Sequence, residues 1–183
     1  VDGTLPAAAL ADEILAGHVR ALVVFGGNPA LSLPDGEKAR AALQRLDLLV
    51  VGDVRHTETT ELANVVLPLA GQFERADLVA GTNQPVAFAH YSPAVVTPVA
   101  ERRPAATALG ELSRRLGLPV LGDDGPPLPD PVTPEAVLGA LAARARRPWA
   151  EIVSAAHGLV ADAPGPGWLL PLVERKIDLA RLA

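Results

Sequence analysis

Two short and wholly apolar runs, residues 21–25 and 48–51, each give way to glycine, the first to Gly26 and Gly27 and the second to Gly52. Runs this short without alternation predict strands of a parallel sheet buried on both faces. Between them Pro34 suits a first helical turn, and Ala39, Leu43 and Leu46 recur at spacings of four and three, which places them on one helix face. A third apolar run, residues 65–67, stops at Pro68, which has no amide to give to a sheet ladder. Strand, helix, strand at these distances predicts a parallel crossover, right-handed in nearly all such units. Both strand C-termini then open on one sheet edge, where α/β proteins bind their ligands.

The flanking segments extend this pattern. Leu10, Ile14 and Leu15 behind Pro6 predict a first helix ended by Gly17, and Leu109, Leu112 and Leu116 predict another stopped by Gly117. Between Gly71 and Pro98 no periodicity stands out, and residues 122–134 are crowded with Gly, Asp and Pro, as in a linker. Helical patterning resumes with Thr133 capping ahead of Pro134 and again after Pro148. The expected organisation is an α/β domain over residues 1–121, a linker over 122–134 and a helical extension over 135–183. Its end, residues 168–183, is too apolar to stand alone in water.

Composition removes several classes of function. The chain has 183 residues and a formal net charge of -5, with Lys and Arg spread among Asp and Glu, so a nucleic acid or a charged membrane surface is not an expected partner. It has no Cys and no Met, hence no disulfide, thiolate metal site or iron-sulfur ligand within these residues. The apolar runs are far below the roughly 20 residues of a membrane span, and with no signal segment in view a cytoplasmic location is expected. Val1 in place of Met leads to the expectation of an interior stretch of a longer protein.

The residues that suit a ligand are those at the two strand ends. Gly26 and Gly27 allow a backbone to approach a phosphate, the Asn28 amide and nearby backbone N–H groups can donate to its oxygens, and Asp53 after Gly52 can accept from ribose hydroxyls or a guanine edge. Spacing alone also suits an ordinary turn, since Gly and Asn-Pro are common loop punctuation. The four histidines, His18, His56, His90 and His157, fall in separate segments without ligand spacing, and His56 reads as a polar loop residue, with Thr57 or Thr59 capping the turn that follows. No Gly-x-Ser-x-Gly elbow marks a nucleophile.

The order Gly26-Gly27-Asn28-Pro29, then residues 47–53, then Thr57-Glu58-Thr59 running into Ala63-Asn64-Val65-Val66-Leu67-Pro68 resembles the molybdopterin oxidoreductase family of formate dehydrogenase, nitrate reductase and DMSO reductase type. Phe73-Glu74-Arg75, Tyr91-Ser92-Pro93 and residues 111–119 continue the likeness. The resemblance implies that residues 1–121 are the second half of a Rossmann-like, dinucleotide-binding-like domain that holds one molybdopterin guanine dinucleotide of a bis-dinucleotide molybdenum or tungsten cofactor. It also implies an iron-sulfur cluster in an N-terminal part and a closing C-terminal domain, neither within these residues. Carried over by position, Gly26, Gly27, Asn28 and Ser32 meet the nucleotide end of the pterin, Gly52 and Asp53 form the second cofactor loop, and Arg75 supplies a cationic contact. The metal ligand and the catalytic residues are expected outside the chain, whose partners are the rest of its polypeptide and electron-transfer subunits. One departure stands out: Ala105-Ala106 occupies the place of a frequent Asp-Trp pair. An autonomous nucleotide-binding domain and a cofactor-less scaffold of the same fold remain as alternatives.

Overall fold

The computed structural model describes residues 6–81, 86–118, 128–142 and 148–164. They fall into two compact units, one made of residues up to Gly71 with Thr97–Ala108, the other of Gln72–Val96 with the residues from Leu109 onward.

In the first unit a single 3-10 turn leads into α1 (Leu10–Leu15), followed by β1 (Ala21–Phe25), the one-turn α2 (Pro29–Ser32), α3 (Gly36–Gln44), β2 (Leu48–Asp53) and β3 (Val65–Pro68). The three strands pair in the order β1-β2-β3, all parallel, with Phe25 opposite Gly52 and Asp53 opposite Pro68. The predicted crossover is therefore present. Asp35 caps α3 by accepting from the Lys38 amide at 3.3 Å, and the shared face inferred from spacing is the buried one, with Ala39, Ala42, Leu43 and Leu46 all inside. Leu43 and Ala42 pack with Ile14, Leu49 and Val51, and Leu22 and Val24 of β1 lie against the same cluster. Asn64 sets the entry to β3, since its side-chain oxygen takes the Leu49 amide at 2.7 Å while its own amide donates to the Leu49 carbonyl at 2.9 Å.

One expectation for this sheet is corrected. β1 is not buried on both faces: Val23 is 45% exposed, and Val65, which shares its row through Val50, is 43% exposed. The core formed with α1 and α3 lies on the face bearing Leu22, Val24, Leu49 and Val51, so the opposite apolar face stays open among the described residues. An apolar run reports what a strand can bury, not what has covered it.

The second unit holds a three-stranded antiparallel sheet, β4 (Asp77–Gly81), β5 (Val86–Ser92) and β6 (Leu159–Pro164), in that order, with Asp77 opposite Ser92 and Ala89 opposite Leu159. Helix α4 (Ala105–Leu116) starts in the first unit and ends in the second, while α5 (Pro134–Ala142) and α6 (Trp149–Ser154) follow the predicted caps, Thr133 accepting from the Ala136 amide at 3.1 Å. None of the three strands was expected, and β6 stands in what was read as helical extension. The cause lies in pairing: β4 is five residues long, and β6 is stabilised by β5 from far away in sequence. Gly158 is the entry to β6, with φ of 78° and no room for a β-carbon, which would stand 2.9 Å from the Ala89 carbonyl oxygen. Tyr91 of β5 meets Trp149 of α6 edge to face, with ring centroids 5.3 Å apart. Residues 122–127 of the expected linker and the whole apolar end, 168–183, lie outside the described residues.

Gly110 offers a direct check on this packing. A β-carbon there would sit 2.8 Å from Val132 Cγ1 and 3.1 Å from Leu128 Cδ1, and a valine methyl has no slack to move away. Gly110→Ala is therefore expected to lower stability by about 1 to 2 kcal/mol in denaturant unfolding, because overpacking outweighs the gain in helix propensity. An increase in stability would show that the loop around Val132 yields.

Among the described residues no helix is long and apolar enough to cross a membrane.

Candidate cofactor edge

The parallel register brings two loops to one sheet edge. Beyond β1 the ladder continues for one residue, the Gly26 amide donating to the Gly52 carbonyl at 2.9 Å, and the chain then turns with Gly26 at φ of 63°. Only glycine adopts that conformation without strain. Gly27 is different: its φ is not in the left-handed region, and a β-carbon would make an ordinary 3.6 Å contact with Val24 Cγ1. The amides of Gly27 and Asn28 donate to no group among the described residues. Among the described residues they are two free backbone donors side by side.

Asn28 is held from the other loop. Its Nδ2 donates to Glu58 Oε2 at 2.6 Å, and its Oδ1 accepts from the Thr59 hydroxyl at 2.7 Å and the Thr59 amide at 3.2 Å. Thr59 is completely buried, and its hydroxyl oxygen also accepts the Ala30 amide at 3.0 Å. The carboxamide foreseen as a free donor is therefore largely engaged within the protein. Thr57 caps the next turn as foreseen, its hydroxyl accepting from the Thr60 amide at 3.3 Å, while Thr59 binds the Asn28 loop instead. The sequence singled out Glu58 only as part of a resemblance and Thr59 beyond that only as a possible cap. The signal that could have singled them out is the polar Asn28 between an apolar strand and the buried Ala30, where its amide needs partners.

Hydrogen bonds from Asn28 and from its own backbone amide hold the Glu58 carboxyl below the usual carboxylate range, with Arg40 and Arg55 adding to the effect. A carboxyl depressed by folding contributes stability that is present above its unfolded pKa and is lost as pH falls through the folded one. Wild-type protein should therefore exceed Glu58→Gln in stability near neutrality, with the difference shrinking as pH drops below the ordinary Glu range. Unfolding curves measured against pH check this, and a difference that grows on acidification contradicts it.

At the second loop Gly52 is buried, and its missing side chain makes room for the Phe25 ring, 3.0 Å from where a β-carbon would stand, and for Leu69 at 3.2 Å. Its role in the fold is packing between strands. Asp53 follows, half-buried, with Oδ1 accepting from the Arg55 amide at 3.2 Å in a small Asx turn. Ser32 ends α2, exposed, its amide bonded to the Asn28 carbonyl at 2.9 Å. Gly26, Gly27, Asn28, Ser32, Gly52 and Asp53 all belong to the first unit. Arg75 falls in the second, ion-paired with Asp77 at 3.0 Å. His56 is exposed, and Ala105 and Ala106 open α4 with methyl groups only.

Backbone amides can donate to an anionic group and a carboxylate can accept from a hydrogen donor, and both kinds of group stand here at the C-terminal edge of a parallel sheet. The chain belongs to the molybdopterin oxidoreductase family, whose model matches residues 4–115. It is 40% identical over 101 residues to a nitrate reductase of Symbiobacterium thermophilum, covering 55% of this chain and 13% of that protein. It is 41% identical over 69 residues to the F420-dependent formate dehydrogenase subunit alpha of Methanocaldococcus jannaschii, covering 38% of this chain and 10% of that protein. Among solved structures, acetylene hydratase from Pelobacter acetylenicus matches with a TM-score of 0.54 at 27% identity, over 61% of this chain and 16% of the other. The chain thus spans about a tenth to a sixth of the length of these relatives.

Proposed function

We propose that this chain is a cofactor-binding portion of a molybdenum or tungsten oxidoreductase and that its Rossmann-like first unit holds the nucleotide end of one molybdopterin guanine dinucleotide. The observation that carries the reading is the pair of amides at Gly27 and Asn28, unpartnered among the described residues, on the same sheet edge as Asp53. The donor set fits the group. A diphosphate accepts from backbone amides and from a hydroxyl such as that of Ser32, and the N1 and N2 donors of guanine match the Asp53 oxygen left over by the Asx turn. Gly26 shapes the first loop and Gly52 lets the second approach it.

When bound, such a cofactor supplies the metal through which two electrons pass to or from substrate. The residues of this chain bind and orient; we assign no catalytic residue among them. The second cofactor half, an iron-sulfur cluster, the closing domain and electron-transfer subunits belong, in this reading, to the rest of the enzyme. The subunit alpha designation of the formate dehydrogenase relative is in keeping with such partners.

Gly27→Ala tests the reading, because the fold has space for the added methyl group whereas a ligand lying against a bare backbone does not. In the full-length enzyme, purified without oxygen, the substitution is expected to change the melting temperature by no more than about 2 °C while lowering retained guanine nucleotide about tenfold. Unchanged retention would remove the first loop from the binding site.

A further inference from the structure

The two loops of the edge are joined by one short chain of polar groups, Glu58 to Asn28 to Thr59 to the Ala30 amide, which crosses 30 residues of sequence. Glu58 is the only ionised member of that chain. From this geometry we propose that Glu58 is a positioning residue for the cofactor: its carboxylate orients the Asn28 carboxamide and so holds the first loop in the conformation that leaves the Gly27 and Asn28 amides free. This rests on the cofactor reading above and extends it to a group that the nucleotide itself need not touch.

The chemistry of the pair explains why a carboxylate suits the place. Asn28 Oδ1 already accepts two hydrogen bonds from Thr59, which fixes the amide so that Nδ2 can only point away from Thr59. An acceptor without a donor of its own is then required at Nδ2, and a carboxylate makes the shorter and stronger bond. The Glu58 amide and the nearby charges of Arg40 on α3 and Arg55 after β2 keep that carboxylate ionised. Were the link lost, Asn28 could turn its carboxamide, and the Asn28 carbonyl, which accepts the Leu31 and Ser32 amides, would be less firmly placed. Both free donors would lose their preorganisation, which costs affinity without removing any contact to the ligand.

Exchange of the two roles tests the proposal in the full-length enzyme. Asn28→Asp keeps the acceptor for Thr59 and sets a carboxylate against Glu58. At about pH 8, where such a pair cannot share a proton, this variant should release guanine nucleotide about ten times faster than wild type. Adding Glu58→Gln restores a donor-acceptor pair with its direction reversed and should return the rate to within about threefold of wild type, although each substitution taken alone weakens retention. A double variant that releases nucleotide as fast as Asn28→Asp alone, or faster, would overturn the proposal. So would wild-type retention in Asn28→Asp, and melting temperatures of the apo forms separate either result from misfolding. Should Asn28→Asp fail to fold, Glu58→Ala replaces it: release about fivefold faster than wild type supports the link, and an unchanged rate refutes it. Wild-type enzyme that carries no guanine nucleotide at all would refute the cofactor reading instead, so the two failures are distinct.

Discussion

Thr59→Val is expected to destabilise the first unit by about 2 to 4 kcal/mol. The substitution is close to isosteric, so no cavity forms, and the whole effect comes from the hydroxyl. Thr59 is completely buried, and its hydroxyl serves two partners, accepting the Ala30 amide and donating to Asn28 Oδ1. Valine leaves the Ala30 amide buried with no acceptor, at a cost of about 1 to 3 kcal/mol, and removes a second hydrogen bond of about 1 kcal/mol. Thr57→Val is the control, since Thr57 is itself only half-buried and its hydroxyl accepts one long hydrogen bond, from the Thr60 amide at 3.3 Å, and about 1 kcal/mol or less is expected there. Hydrogen exchange across β1 and β2, read as local opening free energies, measures both. Equal losses in the two variants would show that the buried network does not hold the loops.

The second large effect falls on ligand retention. Asp53→Asn keeps the Asx turn, because an amide oxygen accepts from the Arg55 amide as a carboxylate does, but it removes the charge and sets an NH2 donor where, in the cofactor reading proposed above, guanine presents donors of its own. A charge-assisted hydrogen bond is worth about 1.5 to 3 kcal/mol, so nucleotide retention should fall about tenfold to a hundredfold with the fold intact. Asp53→Glu should lose less, keeping the charge at a changed reach. Retention in Asp53→Asn equal to wild type would take the guanine edge away from Asp53.

Much of the first unit was legible in the sequence. Ala39, Leu43 and Leu46 could face only one way on a helix, the strands of parallel sheets are apolar throughout, and Gly26 stood where an apolar run had to turn. The sheet of the second unit was not legible, because β4, β5 and β6 depend on partners far apart in sequence and none shows a clean alternation of its own. At the site, residue types suggested chemistry but not connectivity. Asn28 is the instructive case: an amide at a strand end suits an anion, and nothing local says that Glu58 and Thr59, about 30 residues on, already hold it. Gly52 likewise suggested a ligand's approach, and in the fold it makes room for Phe25 and Leu69. Two motifs of the family likeness, Gly26-Gly27-Asn28-Pro29 and Thr57-Glu58-Thr59, lie in the loops that hydrogen bonds from Asn28 bring together.

The most direct test of the central claim is a joint measurement of bound metal and acid-released GMP in the full-length protein, expressed and purified without oxygen. The account predicts molybdenum or tungsten together with GMP, about two GMP per metal for a bis-dinucleotide cofactor. Well-folded protein that contains neither metal nor guanine nucleotide would contradict it and leave the fold as a scaffold without its cofactor.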